Sequence, residues 1–177
     1  SIWTRMRSSL TSRMPDTGEI VVNTGPILAL VAALGDLEVL RLYDRVWVPY
    51  EVCEEISRGG PQGFAVEQFE AAHWLHKLAQ ARDLLPVLSN SLDTGEAAVI
   101  QVALDEGIGV VCIDETVGRR MARLNGLAVT GSIGILLRAR REGYPVSIPE
   151  AMERMRSQGV WLSDRVVAAV LRQLDTT

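Results

Sequence analysis

The chain has little of what marks several protein classes. Of its 18 basic residues only Lys77 is a lysine, it has two histidines, and aromatic side chains make up 5%. Its two cysteines, Cys53 and Cys112, lie far apart with no CxxC spacing. That excludes a disulfide scaffold and a cysteine zinc site, and it fits a reducing, cytoplasmic setting. No run of 18 apolar residues is free of charge, so no membrane-spanning helix and no membrane partner is expected. Neither GxGxxG nor a Walker-type GxxxxGK loop is present, which argues against a nucleotide-dependent enzyme. There is no internal repeat and no low-complexity segment.

What is present suits one ordinary domain. The 177 residues are 47% hydrophobic, enough for a sizeable core without disulfides or metals. The formal charge of −4 hides a separation of signs along the chain. Residues 14–115 carry 17 acids and 5 bases, whereas residues 116–141 carry six arginines and no acid. Residues 1–15 read as a disordered or non-native N-terminal extension with Met14 as the natural beginning, and 16–177 as a single domain.

Short β-branched runs alternate with helix patterns. EIVVN (19–23) reads as a buried strand, and Thr24-Gly25-Pro26, with Thr24 as the N-cap, opens a helix that stops near Gly35. VWVP (46–49) is a second strand, followed by the helix YEVCEEIS and a break at Gly59-Gly60-Pro61. Residues 64–72 read as helical, 73–78 as a strand, and 79–89 as ambiguous. Asp93 and Glu96 have capping-box spacing at the start of a helix that ends at Gly107. IGVVCID (108–114) is the clearest strand. A helix over 116–124, a strand over 127–131, and helices over 132–142, 149–157 and 163–174 follow. Continuously apolar strands alternating with helices predict an α/β fold, a three-layer α/β/α sandwich around a central parallel sheet of about five strands.

In an open parallel sheet, ligands bind outside the carboxyl ends of the strands. Asn23, Asp114 and Glu115 lie at such ends. Glu54 and Glu55 lie on the helix after the second strand, and Asp93 and Glu96 open the helix before the 108–114 strand. Each has a plain structural role open to it: Asp93 as a helix cap, Glu96 as its capping partner, Asn23 in an Asx turn. Together, several carboxylates at one rim repel one another, and a divalent cation relieves that repulsion. With oxygen-only donors the ion is Mg²⁺ or Mn²⁺. His73 and His76 form an HxxH pair, but on a strand that spacing places them on opposite faces and makes no metal site.

The stretches VVNTGPILAL (21–30), VPYEVCEEI (48–56), LDTGEAAVIQVAL (92–104), VVCIDETVGRRMA (110–122), GLAVTGSIGILLRARREG (126–143) and GVWLSD (159–164) carry a resemblance. In this order and spacing, from about Glu19 to Arg172, the chain resembles the PIN domains, near the VapC-type toxins. The resemblance implies a Mg²⁺- or Mn²⁺-dependent ribonuclease that hydrolyses RNA phosphodiesters. It places the family's first ligand, usually Asp, at Asn23, and the second at Glu55. The third falls at Glu96 with Asp93 as cap or supporting partner, the reverse remaining open. The fourth is Asp114, with Glu115 as a further ligand and Thr24 as support for the first position. Glu55, Glu96 and Asp114 are then the catalytic acids. The resemblance also implies RNA as substrate, a homodimer, and an antitoxin protein as partner if the chain is a toxin.

The arginines that follow Asp114 directly, Arg119, Arg120 and Arg123, are the expected phosphate contacts, because guanidinium forks match phosphate oxygens. The alternative for them is a solvated helix face. Asn23 brings an oxygen but no charge, so a catalytically weak or inactive PIN-like protein that binds nucleic acid or regulates is the second reading. An aspartyl phosphatase is the third, although Asn23 cannot form its phosphoenzyme.

Overall fold

The computed structural model describes residues 18–59 and 63–176. The expected extension over residues 1–15 lies outside them. Five parallel strands form the sheet: β1 (Glu19–Val22), β2 (Arg45–Val48), β3 (His76–Lys77), β4 (Val110–Cys112) and β5 (Ala128–Thr130). Their order is β3-β2-β1-β4-β5. Register is set by Val21 opposite Trp47 on one side and Val111 on the other. The central strand runs Ile20-Val21-Val22 with all three side chains fully buried, as a strand covered on both faces must.

Nine α-helices flank the sheet among the described residues: α1 (Thr24–Leu34), α2 (Tyr50–Ser57), α3 (Val66–Ala71), α4 (Pro86–Ser91), α5 (Thr94–Glu106), α6 (Thr116–Leu124), α7 (Ser132–Arg141), α8 (Ile148–Ser157) and α9 (Asp164–Asp175). Helix α5 packs against β1, β4, α2, α4 and α6, so Gly95 to Ala103 are all buried. A helix enclosed on all sides reads as apolar all round, which is why its sequence shows little amphipathic pattern. Helices α1, α7 and α8 pack together as a second group. The three-layer α/β/α architecture of the sequence analysis is the one observed.

Three local readings change. The strand expected over 73–78 shrinks to His76–Lys77, and His73 lies in the preceding turn, so the HxxH pair never shares a strand. The His76 ring instead meets Trp47 edge-on, with centroids 4.2 Å apart. The ambiguous 79–89 stretch holds α4, entered through Pro86 in its first turn, and residues 38–42 form a 3-10 turn that had no clear sequence pattern. Thr24 does not cap α1: Asn23 occupies the cap position without a side-chain bond to the helix.

No described helix is long and apolar enough to cross a membrane.

Candidate functional site

The sheet order decides which residues meet. Because β1 lies between β2 and β4, the chain leaving β1 at Asn23 borders both the segment after β2 and the segment after β4. This is the point where the connections diverge to opposite sides of the sheet, the usual location of ligand sites in open α/β folds.

Asn23 is 7% exposed, and its side-chain amide has no hydrogen-bond partner among the described residues. It makes no Asx turn and no helix cap. The adjacent Thr24 hydroxyl donates to Glu55 Oε2 at 2.8 Å, tying the start of α1 to the middle of α2 across 31 residues. Asp93 caps α5, its Oδ1 accepting from the Glu96 backbone N–H at 2.8 Å, as the capping-box spacing predicts.

Gly95, in the first turn of α5, leaves an open cradle. A Cβ on it would stand 3.3 Å from Asn23 Oδ1, 3.3 Å from Glu55 Oε2 and 3.6 Å from Asp93 Oδ1. Three of the predicted ligands therefore ring one point, which any side chain larger than glycine would crowd.

Glu96 is 5% exposed. Burial pushes its carboxyl above the ordinary value, and the neighbouring charges of Asp93, Glu115 and Glu55 push the same way; the Asp93 backbone amide opposes them. Glu96 Oε1 points at α6, where a Cβ on Gly118 would lie 2.9 Å from it and 2.9 Å from Ile113 Cγ2. Glu115 is exposed at the N-cap position of α6 without a capping bond.

Asp114 is exposed but held. The backbone N–H of Ser132 donates to its Oδ1 at 2.8 Å and the Ser132 hydroxyl to its Oδ2 at 2.9 Å. Gly131 permits this: a Cβ there would fall 2.5 Å from Asp114 Oδ1 and 2.9 Å from Arg119 Nη1. Arg119 is half-buried and donates through Nη1 to the Ile113 carbonyl at 2.8 Å. Arg120 and Arg123 are exposed and make no ion pair among the described residues. The three predicted phosphate contacts thus divide into one arginine turned toward the strand end and two facing solvent.

The structure brings Asn23, Glu55, Asp93 and Thr24 together, sets Glu96 within electrostatic reach of Glu55, Asp93 and Glu115, and gives Asp114 its own anchor at the start of α7. Among the described residues no three His, Cys, Asp or Glu side chains close on one point as metal ligands. The reason is local: Glu55 is drawn to Thr24, Asp93 to the α5 cap and Asp114 to Ser132. Even so, the donors around Gly95 fit a hard divalent cation. They are all oxygens, one belongs to the Asn23 amide, which has no hydrogen-bond partner among the described residues, and a glycine stands where any Cβ would crowd them.

Sequence reasoning missed Ser132, Gly95, Gly118 and Gly131. For Ser132 a signal existed. Thr130-Gly131-Ser132 ends a strand, and the strand-end rule that singled out Asp114 applies there too. The glycines carry no such signal, because their role is to leave space beside residues distant in sequence.

A family model described as a PIN domain matches residues 19–176. No curated protein and no solved structure matches the chain.

Proposed function

The chain belongs to the PIN-domain family, a nuclease-type fold, and on that premise we propose that it is a divalent-metal-dependent ribonuclease that hydrolyses RNA phosphodiesters. The observation that carries the reading is the ring of Asn23, Glu55 and Asp93 oxygens around the Gly95 cradle, 3.3–3.6 Å from one point at the carboxyl rim of the sheet.

In this reading Asn23, Glu55 and Asp93 hold Mg²⁺ or Mn²⁺, and Glu96 and Glu115 add negative charge that favours it. When bound, such an ion activates water and offsets charge on the phosphate oxygens. Ser132 keeps the Asp114 carboxylate in one orientation, so Asp114 meets the incoming phosphodiester side without first being ordered. Thr24 does the same for Glu55. Arg119 braces the strand end beside Asp114, while Arg120 and Arg123 take the flanking phosphates. The exposed apolar side chains Val117 and Leu124 on α6 support the further part of the proposal, contact with a second copy or an antitoxin protein.

Purified protein is expected to cleave single-stranded RNA with Mn²⁺, to stop in excess EDTA, and to lose at least about a hundredfold in rate with Asp114→Ala, the scale of removing one preorganised charged group. Equal residual cleavage by wild type and Asp114→Ala would sink the nuclease reading.

A second reading rests on Asn23. The family's usual acid would bring a negative charge to the cradle, and the amide brings none. A weak or inactive PIN-like protein that binds nucleic acid is distinguished by RNA binding that persists without any cleavage at millimolar Mn²⁺.

A further inference from the structure

The three oxygens that ring the Gly95 position bring only two negative charges. Glu55 Oε2 and Asp93 Oδ1 stand 3.3 and 3.6 Å from that point, and the third donor, Asn23 Oδ1 at 3.3 Å, belongs to a neutral amide. Both charged oxygens are already engaged. Glu55 Oε2 accepts from the Thr24 hydroxyl at 2.8 Å, and Asp93 Oδ1 accepts from the Glu96 backbone N–H at 2.8 Å. Asn23 is 7% exposed and its amide has no hydrogen-bond partner among the described residues, so of the three donors it is the one left free.

A divalent cation held here by protein alone would rest on two shared carboxylate oxygens and one amide oxygen. Mg²⁺ is commonly bound in another way, through one or two carboxylates together with substrate phosphates, keeping several of its waters. The donor set around Gly95 is of that kind. It leaves a negative ligand to be supplied from outside the chain.

The cleft over the cradle, about 590 Å³, has room for such a ligand. Its walls carry Glu51, Glu54, Glu55 and Asp93 against Arg58, and Arg58 is paired with Glu54 at 3.4 Å. A phosphate that enters without a cation meets an excess of negative charge. With a cation in place, the same carboxylates serve it as ligands and the phosphate meets an opposite charge. Each therefore improves the site for the other.

Resting on the ribonuclease reading and deepening it, we propose that the cradle binds its cation and an RNA phosphate as a coupled pair. The phosphodiester supplies the negative ligand that Asn23 withholds, so neither binds this site well alone. The coupling is reciprocal, because the free energy of the ternary complex does not depend on the order of binding. RNA held only by the arginines of α6 needs no metal; the cation adds the share of affinity that comes from the cradle.

Calorimetric titrations of the full chain test this with two short oligouridylates. In one, CH₂ replaces both bridging oxygens of every linkage, so each linkage keeps its negative charge and has no bridging P–O bond to hydrolyse. In the other, of the same length, methylphosphonate linkages carry no charge. For wild type, saturating charged probe is expected to tighten Mn²⁺ binding at least about fivefold, the lower end of usual coupling, and saturating Mn²⁺ to tighten the charged probe by the same factor. The neutral probe is expected to change Mn²⁺ affinity by less than about twofold. Asn23→Asp supplies the missing charge. Without any probe it is expected to bind Mn²⁺ roughly tenfold tighter than wild type does, the scale of one added charge at close range. Its coupling to the charged probe is expected to be smaller than that of wild type, because the cradle is already negative when the phosphate arrives. A smaller tightening in wild type, equal tightening by the neutral probe, or an Asn23→Asp chain that matches wild type in both quantities overturns the proposal. The two wild-type comparisons decide it alone if Asn23→Asp does not fold. The two readings fail separately. RNA cleavage with Mn²⁺ but without coupling removes only the paired binding, and coupling without cleavage of ordinary RNA removes only the nuclease.

Discussion

At Asn23 one atom separates two behaviours. The side chain is buried, unpartnered and 3.3 Å from the cradle that Glu55 and Asp93 share. Asn23→Asp adds a third negative charge to that cradle. Without metal the charge repels Glu55 and Asp93, so the melting temperature in EDTA is expected to fall. With Mn²⁺ the same charge becomes a ligand, so the Mn²⁺-induced rise in melting temperature and the cleavage rate are expected to exceed those of wild type. A variant that melts as wild type does in both conditions argues against metal at this cradle. Glu96 makes a related prediction. Its carboxyl titrates above the ordinary value because of burial and the nearby acids, so the folded chain holds that proton more tightly than the unfolded chain does. The stability this gives is present below the ordinary carboxylate pKa and is lost as pH rises through the raised one. Glu96→Gln removes the charge and keeps the shape. In EDTA it is expected to be more stable than wild type at neutral pH and no more stable near about pH 4, where both side chains are neutral. Denaturant midpoints at the two pH values check this.

At the scale of elements, α5 and α6 show how a site constrains the helices that carry it. Alanine in place of a glycine inside a helix ordinarily stabilises by about 1 kcal/mol. Gly118 in α6 is the exception, because a Cβ there meets Glu96 Oε1 and Ile113 Cγ2 at 2.9 Å, and the isoleucine is fully buried in the core. Packing outweighs propensity, so Gly118→Ala is expected to lower stability, by about 1–3 kcal/mol as overpacked cores do. A rise in the melting temperature would show that Glu96 and Ile113 yield easily. Gly95 in α5 is left open for a different reason: the oxygens around it need space between them.

At the scale of the whole molecule, net charge is a poor guide to partners and the distribution of charge is a better one. Asp93, Glu96, Asp114 and Glu115 lie by the strand ends, and arginines follow in α6 and α7. Arg120 and Arg123 are exposed and unpaired among the described residues. Replacing both by glutamine is expected to weaken RNA binding at low salt and to flatten the slope of log affinity against log salt by roughly 0.7 for each phosphate that is no longer neutralised. An unchanged slope would mean that these side chains form a solvated helix face and touch no phosphate. The fold was largely legible because its signal is local. Apolar strand runs, the Asp93 cap and the glycine stops are each written within a few neighbouring residues, and the elements they predicted stand within one or two residues of where they occur. The 73–78 strand failed because pairing with β2 holds only His76 and Lys77, a limit set by a neighbour and not by the segment itself.

The sequence by itself determined the α/β alternation, the acids at the strand ends and the capping of α5, since each depends on spacing along the chain. Only the tertiary structure decided which oxygens meet. The strand order β3-β2-β1-β4-β5 brings Asn23, Glu55 and Asp93 to one glycine, joins the Thr24 hydroxyl to Glu55, and fastens Asp114 to Ser132. The last two of these contacts cross 31 and 18 residues of chain, farther than any helical or strand period reaches, so the packing of layers against the sheet is what fixes them.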